Sequence, residues 1–190
     1  MWKSIALLLV FVCGVVGAGS VVAVSFEARD FDALASEADQ IIIGTAAASN
    51  SRRTGAREIV TDYRFDDLQT VKGNLASDSL TLTMLGGSVG AETLTVAGAP
   101  TFQRGIRYLV FISGNGSVMF PLVGGTQGIF QIRRDASSGV SRVHDYTGRP
   151  LTRLPTRAPM AEVGSDMSDA MSEAAFVDAI RRKISGRGAR

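Results

Sequence analysis

The sequence predicts a mainly β protein: a small antiparallel barrel or a sandwich of about six to eight strands, with an amphipathic C-terminal helix. Three observations carry this. Between residues 38 and 147, short apolar stretches alternate with polar residues at a period of two, the spacing of half-buried strands. Turn-forming clusters separate them: "VKGN" (71–74), "LGGSVG" (85–90), "GAP" (98–100), "SGNG" (113–116) and "SSG" (137–139). No helical crossover intervenes, so neighbouring strands run antiparallel. Beyond residue 165 the apolar spacing changes to three and four, the stripe of a surface helix.

The chain has 190 residues, 45% hydrophobic and 20% charged, a globular rather than a disordered composition. Its 20 basic and 18 acidic residues leave a formal charge of +2, so no strong field for nucleic acid or membranes is expected. The N-terminus, "MWKSIALLLVFVCGVVGAGSVVAVSF", has Lys3, an apolar run from Ile5 to Val16, then small residues. This is the pattern of a secretory leader spanning residues 1–23, with cleavage favoured after Ala23. An uncleaved anchor is the alternative, because Ile5 to Val24 carries no charge and approaches the ~20 residues that span a bilayer. The protein is therefore expected to be exported, to the periplasm or beyond, or held at the inner membrane by this segment. Cys13, the sole cysteine, lies inside the leader. A mature chain without disulfides must rest on a packed core.

A β domain with a short leading helix is expected over residues 24–147. "FDALASEAD" gives that helix, with Phe31, Leu34 and Ala35 on one side. "DQIIIGT" is a short strand that Gly44 ends. "REIVTDYRFDDL" places Ile59, Thr61, Tyr63 and Phe65 together, and "SLTLTML" and "ETLTVAG" alternate in the same way. "RYLVFIS" is apolar on both sides and reads as a central strand. "VMFPLV", "GIFQIRR" and a weaker "VSRVHDY" follow. Residues 148–165 hold three prolines and read as a linker or surface strap. Residues 166–190 form the helix and tail. Phe176, Val177, Ile180 and Ile184 make its stripe, Asp178 and Arg182 an i,i+4 pair, and Gly186 its stop.

The chemical motifs are few. Gly124, Gly125 and Gly128 sit in "LVGGTQGIFQI", but no lysine follows them and a strand pattern does, so neither a Walker loop nor a dinucleotide fingerprint fits. They are read as turn glycines, as are Gly73 and Gly105. Gln127 either caps open backbone groups or touches a partner; it is the one candidate partner contact. His144 is the only histidine, which argues against zinc. Its neighbour Asp145 could complete a catalytic pair, but no serine lies in a G-x-S-x-G elbow, and a surface histidine on an edge strand is the simpler reading. Asp66 and Asp67 point to opposite faces of a strand, and "DASSG" is a turn, so neither builds a calcium loop. No catalytic residue, cofactor or metal is expected. Arg187 and Arg190 lack interleaved aromatics and read as a solvated helix end, not a nucleic-acid site.

The blocks "ADQIIIG" (38–44), "TDYRFDDLQTVKG" (61–73), Gly86-Gly87, "GAPTFQRGIRYLVF" (98–111) and "GGTQGIF" (124–130) resemble, in that order, a family of secreted bacterial β proteins. More distantly the pattern resembles the OB-like barrel of netrin and metalloproteinase-inhibitor modules. The resemblance implies an OB-like barrel and exported company that includes extracellular metalloproteases. It brings no catalytic residue. The inhibitors' N-terminal zinc-reaching cysteine has no counterpart in a mature chain without cysteine. The function expected is an exported, non-enzymatic binding or interaction module of undetermined ligand, either another exported protein, a protease being suggested by resemblance alone, or an oligomeric surface ligand. A small hydrolase with convergent loops and a membrane-tethered envelope protein are the alternatives; a membrane contact is expected only if the leader stays.

Overall fold

The structure is a computed structural model that describes residues 20–23, 26–75, 77–156 and 169–186. Most of the expected leader, residues 157–165 of the linker with the three that follow, and the tail with Arg187 and Arg190 lie outside the described residues. The order of elements is β1 (Ser20–Ala23), α1 (Phe31–Glu37), β2 (Gln40–Arg53), β3 (Ile59–Lys72), β4 (Leu80–Leu85), β5 (Gly87–Val89), β6 (Glu92–Ala97), β7 (Arg107–Ile112), a 3₁₀ turn (Gly125–Gly128), β8 (Ile129–Arg134), β9 (Ser141–His144) and α2 (Glu173–Ser185).

The fold is mainly β, as expected. Six strands form one antiparallel sheet in the order β4-β3-β2-β7-β8-β9, and β1-β6-β5 form a small second one. No ladder pairing joins β4 to β9 among the described residues. The centre of the large sheet is β2 against β7, from Gln40↔Ile112 to Thr45↔Arg107. Over Ile41–Gly44 and Tyr108–Ile112 both strands are buried on both faces. Ile41, Ile43, Leu109 and Phe111 point to one side, with Phe130, Ile132 and Val143, and meet α1 and α2 there. Ile42, Tyr108, Val110 and Ile112 point to the other, with Phe65, Leu82, Met84 and Ile129. Each fully buried side chain of this size contributes roughly 1.5–3 kcal/mol.

The helices cover the first face for local reasons. Asp30 caps α1 by accepting from the Ala33 amide at 2.8 Å, and Ser172 caps α2 by accepting from the Ala175 amide at 3.2 Å. Phe176 then reaches Phe31 and Phe130, ring centroids 5.5 and 4.9 Å away. On the second face Phe102 lies edge-on to Tyr63, Phe65 and Tyr108 at 5.2, 4.9 and 5.1 Å, the favoured aromatic geometry.

Several expectations are corrected. β2 does not end at Gly44 but runs through it to Arg53. There one residue, Gly44, faces two, Asp67 and Leu68. The extra residue is taken up by Asp67 in the left-handed region, φ +52°, and a Cβ at Gly44 would lie 2.6 Å from Leu68. This is a β-bulge, which bends the strand instead of stopping it. The distal half, 47–53, carries little apolar signal because it is mostly solvated. "VMFPLV" is not a strand; only Leu122 bridges Ile112, and Pro121 has no amide to continue a ladder. Within "LGGSVG", read as a turn, Gly87–Val89 is strand β5. The Lys72 ammonium, at the end of β3, donates to the Ala35 and Ser36 carbonyls at 2.9 and 3.3 Å, at the C-terminal end of α1 where a cation is favoured. The Asp178 pair forms with Arg181, at 3.9 Å.

The turn glycines differ in what they tolerate. Gly105 has φ +82° and open space around it, whereas a Cβ on Gly128 would strike the Val123 carbonyl oxygen and sit 3.3 Å from Phe111. Urea denaturation should show Gly105→Ala losing about 1 kcal/mol, the left-handed backbone penalty. Gly128→Ala should lose about 3 kcal/mol, because a rigid backbone group must move. Equal losses would contradict this assignment.

Candidate binding groove

The loop that holds Gly124, Gly125, Gln127 and Gly128 forms one wall of a groove of about 340 Å³. Gly124 and Gly125 adopt φ +64° and +60°, a sequence of two left-handed residues that side-chain-bearing residues resist. Gly125 also lets the N-terminal segment approach, since a Cβ there would come within 2.5 Å of the Phe26 ring. Phe26 in turn stands edge-on to Phe120, centroids 6.4 Å apart. A 3₁₀ turn follows and Ile129 opens β8, so the glycines join strand to strand through a turn and present no α-helix N-terminus.

Gln127 works on the backbone. Its Oε1 accepts from the Arg29 amide at 2.8 Å, and its Nε2 donates to the carbonyls of Glu27 and Gly124 at 2.9 and 3.1 Å. The carboxamide thereby pairs with segment 27–29 as a strand's own peptide group would. Of the two sequence readings, backbone cap and partner contact, the cap is directly visible; the side chain also borders the groove.

The opposite wall comes from the turn after β9 and from the strap. Leu151 is fully buried, its amide donating to the Val143 carbonyl at 2.9 Å and its carbonyl accepting from the Met171 amide at 2.7 Å. Ala28, Tyr146 and Pro155 give the accessible apolar lining, the buried Ile129, Phe130 and Leu151 back it, and Arg29, Gln127, Thr147, Arg149 and Thr156 form a polar rim. Asp145 shapes this rim. Its Oδ1 accepts from the Thr147 hydroxyl at 2.7 Å and the Arg149 amide at 3.0 Å, and its Oδ2 from the Arg149 guanidinium at 2.8 Å. Burial pushes the Asp145 carboxyl up, but Thr147 and Arg149 together outweigh it and hold it below the ordinary carboxylate range. Arg29 reaches Glu27 and Glu37 at 2.8 and 3.1 Å. The rim charges are thus paired before any ligand arrives.

His144 is corrected from a surface residue to a buried one, 2% exposed, although β9 is the outermost strand. Its Nδ1 is 3.3 Å from the Arg142 carbonyl, which can only accept, so Nδ1 carries the proton. Burial lowers its pKa first and the charge of Arg133 adds to this, against weaker opposite effects of Arg142 and Asp145. The oxygens of Asp145 are occupied by Thr147 and Arg149. The "DASSG" turn is built by Asp135, whose Oδ1 accepts from the Ser137 amide and hydroxyl and the Ser138 amide at 2.8, 2.6 and 3.1 Å. Those donors, the Ser137 hydroxyl foremost, bring its pKa to about 2. Among the described residues no cluster of three or more His, Cys, Asp and Glu is placed to hold a metal.

Of the other predicted positions, Gly73 turns at φ +84° against the Asp39 carbonyl, which a Cβ would meet at 2.8 Å. Gly105 donates its amide to Ala46 at 2.8 Å. Both are far along the chain from the groove-lining residues. Ala23 is the last residue of β1, opposite Ala97. Arg29, Tyr146, Arg149 and Leu151 were missed as a group, because the strap and the N-terminal segment carry no periodicity that would place them together. The chain matches no protein-family model, no curated protein and no solved structure.

Two outcomes follow from this geometry. Gln127→Ala removes the acceptor of Arg29 and both donated bonds, and should lower stability by about 1–3 kcal/mol, with faster amide exchange at Arg29; an unchanged exchange rate there would refute the pairing. For His144 the folded pKa lies below the unfolded value, so the stability it provides is complete above about pH 6.5 and declines as pH falls from there toward the folded pKa. The melting temperature should therefore drop between pH 7.5 and 5.5, and His144→Asn should flatten that drop; a profile identical in both proteins would remove His144 as its cause.

Proposed function

We propose that this chain is an exported, non-enzymatic binding module that seats part of another exported protein in the groove between the Gln127 turn and the strap. The observation that carries the reading is the composition of that groove: an accessible apolar lining of Ala28, the Tyr146 ring and Pro155, backed by the buried Ile129, Phe130 and Leu151, beside polar side chains already fixed by internal partners. Concave apolar sites with a few oriented polar groups are the usual form of a binding site, and a preorganised rim loses little entropy on association. The volume, about 340 Å³, suits one or two protruding side chains of a partner. The sequence resemblance nominates an extracellular metalloprotease as the first partner to try.

A hydrolytic reading needs a titratable group poised at a substrate. The supporting contrast is that His144 is enclosed and Asp145 is engaged by Thr147 and Arg149. Export rests on the leader pattern of residues 1–23. Among the described residues no helix is long and apolar enough to cross a membrane.

The test places a photo-cross-linking residue at Thr156, on the groove rim, in the full-length chain expressed in an exporting bacterium, with Asp78 as the control site. A single reproducible protein adduct from position 156 and none from 78 is the expected result. Equal labelling from both sites, or none from either, counts against the groove. Hydrolysis of ester, peptide or glycoside probes that vanishes in a folded His144→Ala variant would replace the binding reading with an enzymatic one.

A further inference from the structure

The strand edges of the molecule show where its N-terminus belongs. An unpaired edge is a template for association with other chains, and folded proteins cover it. The outer edge of β4 is covered by the loop after β7: the Leu85 amide donates to Met119 at 3.1 Å, and the Asn115 side chain to the Thr81 carbonyl at 2.8 Å. The outer edge of β9 is covered by the chain around α2 and by the strap, with the Val143 amide donating to Met171 and the Leu151 amide to Val143, both at 2.9 Å. β5 is three residues long and is preceded by the Gly86 amide bonded to Ile59 at 2.7 Å.

The remaining edge belongs to β6, which has β5 on one side and β1 on the other. β1 pairs with it in parallel, Ser20↔Leu94 through Ala23↔Ala97. β6 alternates buried Leu94 and Val96 with exposed Thr93 and Thr95, the regular pattern that recruits a foreign strand most readily. Stripped of β1, it would be an open six-residue edge; with β1 in place the outermost strand there is only four residues long, and a very short edge strand is a poor template for association.

The leader offers two peptidase sites, Val16-Gly17-Ala18 and Val21-Val22-Ala23, each ending on a small residue. Sequence alone favours the second. Cutting there deletes β1; cutting after Ala18 keeps it. We infer that a leader peptidase hydrolyses the Ala18–Gly19 bond, and that Ser20–Ala23 is the N-terminal strand of the mature protein, filling the β6 edge. In the hydrolysis, water supplies the hydroxyl of the new Ala18 carboxyl and the proton of the new Gly19 amine. This rests on the export reading above and specifies its processing.

Intact mass and N-terminal sequence of the exported product of the full-length chain decide the point. A chain beginning at Gly19 is the expected result. One beginning at Val24 overturns the inference and leaves export standing; one that keeps Met1 and stays in the cytoplasm overturns both. Val21→Pro and Val22→Pro form the second arm, because alternate residues of a parallel strand donate to a given neighbour and one of the two prolines must remove a ladder donor. At least one variant should melt roughly 4–10 °C lower and lose exchange protection at β6. Unchanged melting and exchange in both would show that the strand is absent from the mature fold.

Discussion

Everything in this molecule is arranged around a pair of strands that must be hidden from water on both sides. Ile41, Ile42 and Ile43 are consecutive and fully buried, as are Leu109, Val110 and Phe111 opposite them. Because successive strand residues point to opposite faces, three consecutive apolar residues cannot be satisfied by one covering layer. The chain answers with α1 and α2 on one face and with its own β3, β4 and the Phe102 turn on the other. Phe102 follows Pro100, which interrupts pairing and lets the chain dive back onto Tyr63, Phe65 and Tyr108.

Much of the polar chemistry serves that arrangement. Asp39 accepts from the Ser113 hydroxyl and the Gly114 amide, each at 2.9 Å, tying the start of β2 to the end of β7. Those two donors, Gly114 first, hold its carboxyl below the usual range. Lys72 closes the end of α1, Asp135 makes the turn between β8 and β9, and Lys183 reaches Asp32 at 2.8 Å to link the two helices. Such groups can look catalytic in a sequence because they are the same residue types. Their geometry shows donors and acceptors already matched to the backbone.

The groove is where this economy leaves a concave surface. It exists because three segments without regular structure, the N-terminal run, the Gln127 turn and the strap, must all pass over the end of β8 and β9. Gln127 holds the first two together and the Asp145–Arg149 turn sets the third. The same logic places β1: a short strand joins the β6 edge, which no other segment among the described residues covers.

By itself the sequence determined the class of the fold, the two helices, the central position of β7 and the need for glycine at the turn before β8. Each of these depends on local periodicity or on backbone conformations that a few neighbouring residues dictate. Tertiary structure alone decided the rest. Strand β2 continues through Gly44 because the bulge at Asp67 accommodates the mismatch in β3, a partner distant in sequence. His144 is buried because the strap and the chain before α2 cover the outer strand. Leu151, Arg29 and Gln127 meet across more than a hundred residues of chain, held by hydrogen bonds between segments that have no period of their own. Local patterns report what a residue's neighbours along the chain require, whereas a groove made of connecting segments is set by long-range pairing, and no short window of sequence contains it.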